Sequence, residues 1–181
     1  MTAWEKTLRI VLAVLFVAIV ATLGTAFTDT TSKWYQSLTL PALQPPPIVF
    51  GIAWSVLYAL FAASLAIVLI KSANTTNVPA PAKSDTNAPS KSFVPLWNSA
   101  NKSTLLLYLA SGVLNVLWSY TFFRLQNPAG ALFVLILTVI VAALLLADAY
   151  SISKVAGYLL VPYLIWLCFA LYLNYEVAFL N

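Results

Sequence analysis

The sequence predicts an all-α integral membrane protein, a five-transmembrane-helix bundle, from its composition, its hydropathy and five long apolar runs. Of its 181 residues, 62% are apolar or aromatic and only 8% carry charge. The mean hydropathy is +0.91, and no ordinary soluble domain needs that much apolar surface. Residues 8–27, 48–70, 104–124, 128–147 and 154–176 each contain an uncharged apolar run of at least 18 residues. At about 1.5 Å per residue, roughly 20 residues span the ~30 Å hydrocarbon core. A helix satisfies its own backbone there, as an open strand cannot.

The first span follows Lys6 and Arg9 and ends on Gly24-Thr25-Ala26, which also fits a secretory signal with its cleavage site. Its apolar run exceeds the 7 to 15 residues of a signal core, so the stretch is expected to stay as a helix. Residues 28–47 run through Trp34, Tyr35, Leu38, Leu43 and a run of prolines. Proline fixes φ and lowers the entropy lost on ordering, so an ordered proline-rich lid over one mouth of the bundle is expected. Trp34 and Tyr35 equally suit an interfacial aromatic anchor. After the second span, residues 71–102 turn to Ala, Pro, Asn, Ser, Thr and Lys, an extended and flexible connection. Its sequons at Asn74 and Asn101 fall on the cytoplasmic side by charge counting and are read as chance. The third and fourth spans are joined only by Arg124 to Pro128, which forces an antiparallel hairpin with Asn127 as N-cap and Pro128 at the first helical position. A second short connection, Asp148 to Lys154, keeps the fourth and fifth spans adjacent. The lone Cys168 has no intramolecular partner. The whole chain, 1–181, reads as a single membrane domain.

The net charge of +4 does not indicate nucleic acid, because the nine Lys and Arg residues sit at the ends of apolar runs. Lys6, Arg9, Lys71, Lys83, Lys91, Lys102 and Lys154 fall on one side; Lys33 and Arg124 fall on the other. That asymmetry predicts a cytoplasmic N-terminus and a C-terminus outside. The chain has no histidine, no Gly-rich phosphate loop and no Cys–carboxylate cluster. Glu5, Asp29, Asp85, Asp148 and Glu176 lie at boundaries or in loops, which argues against acid–base work, a metal site and ion pumping. A haem-like ring would find no axial histidine.

What the spans offer is aromatic surface with a few polar handles. Phe50, Trp54, Tyr58 and Phe61 share one face of the second span. Asn115, Trp118 and Phe122 share one of the third, and Tyr163, Trp166, Ala170 and Asn174 one of the fifth. A stripe of this kind serves packing or lipid contact as well as a ligand. Asn115 sits near the middle of its span, where a bare amide would cost several kcal/mol, so it faces inward, toward a ligand or a neighbouring helix. Trp54 and Trp166 lie deep in their runs, away from the interfacial belts. Ala110, Ser111 and Gly112 are small enough for close dimer packing and equally for packing within one bundle.

From Trp34 to Leu173 the chain resembles the translocator protein family (TspO/MBR), also called the peripheral benzodiazepine receptor family. The resemblance rests on Trp34-Tyr35 with Leu38, Pro41 and Pro45-Pro46, on Trp54-Ser55-Val56-Leu57-Tyr58, and on Asn115-Val116-Leu117-Trp118 with Phe122-Phe123. It continues through Ala156-Gly157-Tyr158 to Trp166 and ends at Leu173-Asn174. It implies a five-helix bundle, often a homodimer, that binds porphyrins (protoporphyrin IX, haem), sterols, other amphipathic lipids and synthetic benzodiazepine-type ligands. It requires no cofactor, since the porphyrin is ligand. By position, Trp54, Tyr58, Asn115, Trp118, Phe122, Trp166 and Ala170 would line the pocket, with Trp34, Pro45 and Pro46 in the lid. No catalytic residue is firm. Some bacterial relatives degrade protoporphyrin in light, and there the tryptophans matching Trp54 and Trp166 are implicated. A stress-linked sensor acting through a partner is a further reading. The sequence departs from the family in lacking the Lys or Arg of the sterol motif after Leu173-Asn174-Tyr175, in its long second connection, and in Gly130, where animal members often carry tryptophan.

Overall fold

The computed structural model describes residues 1–75 and 101–181. Six α-helices follow in order: α1 (Ala3–Phe27), α2 (Lys33–Ser37), α3 (Pro47–Thr75), α4 (Lys102–Ser119), α5 (Pro128–Ile152) and α6 (Lys154–Leu180). Among the described residues, α1, α3, α4 with its C-terminal extension, α5 and α6 are long and apolar enough to cross a membrane. The protein is an all-α membrane bundle.

Local chemistry sets the helix ends. Thr2 and Glu5 form a capping box, which starts α1 at Ala3, five residues before the expected 8. Asn127 Oδ1 accepts the Gly130 N–H at 2.8 Å and Pro128 begins α5, as the sequence predicts. A Cβ at Gly130 would stand 2.7 Å from the Asn127 carboxamide, so the capping side chain fills the space that the glycine leaves. The helix α3 does not stop at residue 70. It continues through Lys71–Thr75, a stretch whose polar composition reads as loop, because Ser72 and Ala73 are buried and Arg9 of α1 donates to Leu69 O at 3.2 Å. Of the rest of the expected flexible connection, residues 76–100, including Lys83 and Lys91, lie outside the described residues, whereas Asn101 is buried and Lys102 already begins α4.

The two short connections have the predicted effect: α5 packs most extensively on α6 and then on α4, while α1 packs on α3 and α4 and α3 on α6. Gly157 makes the α5–α6 hairpin possible, since a Cβ there would lie 2.6 Å from Tyr150 Cβ. Gly112 lets α1 approach α4, its virtual Cβ standing 2.8 Å from Phe16 and 2.9 Å from Val20. Ser111 and Gly112 are therefore used inside the bundle. Polar ties cross the core. Ser64 Oγ meets the Tyr108 hydroxyl and donates to Ala156 O at 2.7 Å, linking α3, α4 and α6. Asp148 accepts from Thr104 Oγ1 at 2.7 Å and Ser103 Oγ at 3.1 Å, fastening the start of α4 to the end of α5.

Candidate functional site

The aromatic stripes meet, but in two groups. The first lies among α1, α3, α4 and α6. On α3, the Trp54 and Tyr58 rings are 5.3 Å apart, and Phe50 meets Trp166 of α6 edge to face at 5.7 Å. Phe61 reaches Tyr163 of α6 at 5.3 Å. Asn115 of α4 donates Nδ2 to Ser111 O at 2.9 Å and to the Tyr163 hydroxyl, and that hydroxyl also pairs with Ser111 Oγ at 2.9 Å. The amide thus faces inward and is held by its own helix and by α6, while its Oδ1 has no partner among the described residues. Ala170 and the Trp166 ring pack half-buried against the same cluster. Trp166 Nε1 is buried with no hydrogen-bond partner among the described residues.

A void of about 10 Å³ opens within this group, lined by Phe16, Val20, Tyr58, Phe61, Asn115 and Tyr163 among others. It has room for about one water. Ligand pockets for drug-sized molecules run to several hundred Å³, so this void takes no ligand of that size as it stands, and Trp54, Trp118, Phe122, Trp166 and Ala170 do not line it. Phe16 and Val20 come from α1, where apolar residues on all sides give the sequence no signal. Tyr163 and Phe61 were legible as members of a stripe and not as pocket residues.

The second group lies under the lid. After Arg9, α1 carries no charge up to its end, and α4 ends in a π-helical turn, Tyr120–Arg124, closed by Leu125 N–H to Tyr120 O at 3.1 Å. π turns recur at functional sites because the wider turn re-aims side chains. Here Phe122 stacks on Trp118 at 5.4 Å and receives Trp34 of α2 edge to face at 5.6 Å. Tyr35 lies 5.6 Å from Phe123. Trp118 Nε1 donates to Asn174 Oδ1 at 2.8 Å, and Asn174 Nδ2 donates to Pro128 O at 2.9 Å, so one amide joins α4, α5 and α6. Asn174, expected on a ligand-facing stripe, is occupied at both ends. Trp118 touches both groups and links them.

The stretch expected to form the lid carries the short helix α2, capped by Ser32. Asp29, at the turn into it, accepts from Thr31 Oγ1 at 2.8 Å, and this bond holds its carboxyl below the ordinary value. Burial raises the Tyr35 hydroxyl above its ordinary value. Pro45 is half-buried and Pro46 exposed, Pro46 O accepting the Val49 N–H where α3 begins. The buried proline of the lid is Pro41.

The TspO/MBR family model matches residues 12–180. The "Tryptophan-rich protein TspO" of Archaeoglobus fulgidus is 34% identical over 176 residues, 96% of this chain and 97% of that protein. The "Tryptophan-rich sensory protein" of Cereibacter sphaeroides is 30% identical over 149 residues, covering 82% and 77%. The human "Translocator protein" is 31% identical over 145 residues, covering 80% and 73%.

Proposed function

The chain belongs to the TspO/MBR family, and from that premise we propose that it is a translocator-type membrane receptor. Its ligands are porphyrins such as protoporphyrin IX and haem, together with sterols or other amphipathic lipids, held between α3, α4 and α6. The observation that supports this reading is the bare Trp166 Nε1. A buried donor without an acceptor costs about 1–3 kcal/mol, and an acceptor on a ligand relieves it. Asn115 Oδ1 and the Tyr58 hydroxyl offer polar points on the facing helices, and Phe50, Trp54 and Tyr58 offer ring faces for a flat macrocycle. Because the void is small, binding requires these side chains to part.

The test is a fluorescence titration of the purified protein with protoporphyrin in micelles. Quenching at micromolar concentrations is expected. Trp54→Phe with Trp166→Phe is expected to weaken binding about tenfold, equivalent to ~1.4 kcal/mol. Superimposable curves for the double variant and the parent move the site elsewhere.

A further inference from the structure

One side chain fastens the lid to the helix that carries Trp166 and Ala170. Asn181, just past the end of α6, accepts the Thr39 N–H on Oδ1 at 2.8 Å and donates from Nδ2 to Thr39 O at 3.2 Å. The same Nδ2 donates to Val177 O at 2.9 Å. The carboxamide therefore pairs with both backbone groups of one lid residue while anchored to the last turn of α6. Only an amide of this length and polarity does both, because its donor and acceptor are fixed side by side. Thr39 lies between Leu38, which packs against the Phe122–Val177 cluster, and buried Pro41. The other end of the lid rests on α4 through Trp34–Phe122 and Tyr35–Phe123 ring contacts. Among the described residues, the Asn181–Thr39 pair supplies the side-chain hydrogen bonds that tie the lid to α6 across 142 positions.

We infer that Asn181 is a latch: a positioning residue that holds the lid closed against α6 and so sets the rate at which ligand is exchanged, without touching the ligand. The kinetic part rests on the function proposed above; the latch itself does not. A gate of this kind slows association and dissociation together, because both need the open lid, and it leaves the equilibrium affinity almost unchanged.

The experiment compares the full chain with Asn181→Ala and Asn181→Asp in micelles, with helical content by circular dichroism as the folding control. Amide hydrogen exchange is read at Thr39. In Asn181→Ala the rate is expected to rise roughly three- to tenfold, the equivalent of losing a net exposed hydrogen bond or two. In Asn181→Asp the Thr39 N–H keeps its acceptor, but a carboxylate faces the carbonyls of Thr39 and Val177, so exchange is expected to rise at least as much. Exchange at the parent rate in either variant overturns the latch. Stopped-flow quenching by protoporphyrin is the second readout. Both rate constants are expected to rise by the same factor in Asn181→Ala, with the dissociation constant within about twofold of the parent. A rise in the dissociation rate alone makes Asn181 a ligand contact and overturns the gating role. If the parent shows no quenching, the porphyrin reading fails, and Thr39 exchange alone decides the latch.

Discussion

Two tryptophans in the same bundle carry opposite hydrogen-bond accounts. Trp118 Nε1 is satisfied by Asn174 Oδ1 at 2.8 Å, and that amide is satisfied in turn by Pro128 O. Trp166 Nε1 is buried and bare. Replacing each with phenylalanine removes a similar apolar volume, so the polar consequence separates them. Trp118→Phe leaves the Asn174 oxygen unpaired, at about 1–3 kcal/mol, whereas Trp166→Phe removes an existing penalty of the same size. Thermal unfolding in micelles is expected to place Trp118→Phe clearly below Trp166→Phe; equal midpoints would mean that Trp166 Nε1 has a partner after all. The proposed ligand supplies the reason for tolerating such a penalty. Sequence reading separates these residues only partly. The inward face of Asn115 was legible, because an amide mid-span has nowhere else to go. The pair of hydrogen bonds at Asn174 was not, since its polarity shows the need for partners and says nothing about which helix provides them.

At the scale of the element, the α5–α6 hairpin depends on one missing side chain. A Cβ at Gly157 would lie 2.6 Å from Tyr150 Cβ and 2.8 Å from its Cα, and backbone on the opposite side cannot swing away. Gly157→Ala is expected to destabilise by about 1–3 kcal/mol through overpacking. Gly51 of α3 has nothing within 4 Å of its virtual Cβ, so Gly51→Ala is the control. It is expected to be neutral or stabilising by up to ~1 kcal/mol through helix propensity. A midpoint for Gly157→Ala that matches Gly51→Ala would show that the hairpin relaxes. The five spans were legible because apolar length and the hydrocarbon thickness leave few alternatives, and the two adjacencies followed from connections too short to reach anything but a neighbour. The continuation of α3 through Lys71–Thr75 was not, because composition reports affinity for lipid, and a helix extends past the lipid wherever its neighbours bury it, as Ser72 and Ala73 are buried here. The π turn at Tyr120–Arg124 left no trace either: the hydrogen-bond shift that re-aims Phe122 toward the lid is set by packing, and its residues fit an ordinary helix equally well.

Across the whole molecule, two aromatic groups are joined through Trp118, and the second is covered by a lid held at both ends, by Trp34 on Phe122 and by Asn181 on Thr39. The void within the first group is about 10 Å³, whereas a tetrapyrrole needs space on the order of several hundred Å³. A ligand of that size does not fit this void, so on the function proposed above opening has to come first, and binding follows conformational selection. This fixes the form of the kinetics. At low protoporphyrin concentration the observed rate of tryptophan quenching should rise with concentration; at high concentration it should level off at the rate of lid opening. Loop and lid motions fall in the microsecond to second range, within or close to the reach of stopped flow. A rate that stays proportional to concentration through the accessible range would mean that the macrocycle binds a surface already exposed, most directly the lipid-facing sides of the helices. Saturation makes the closed bundle the resting state from which the protein opens.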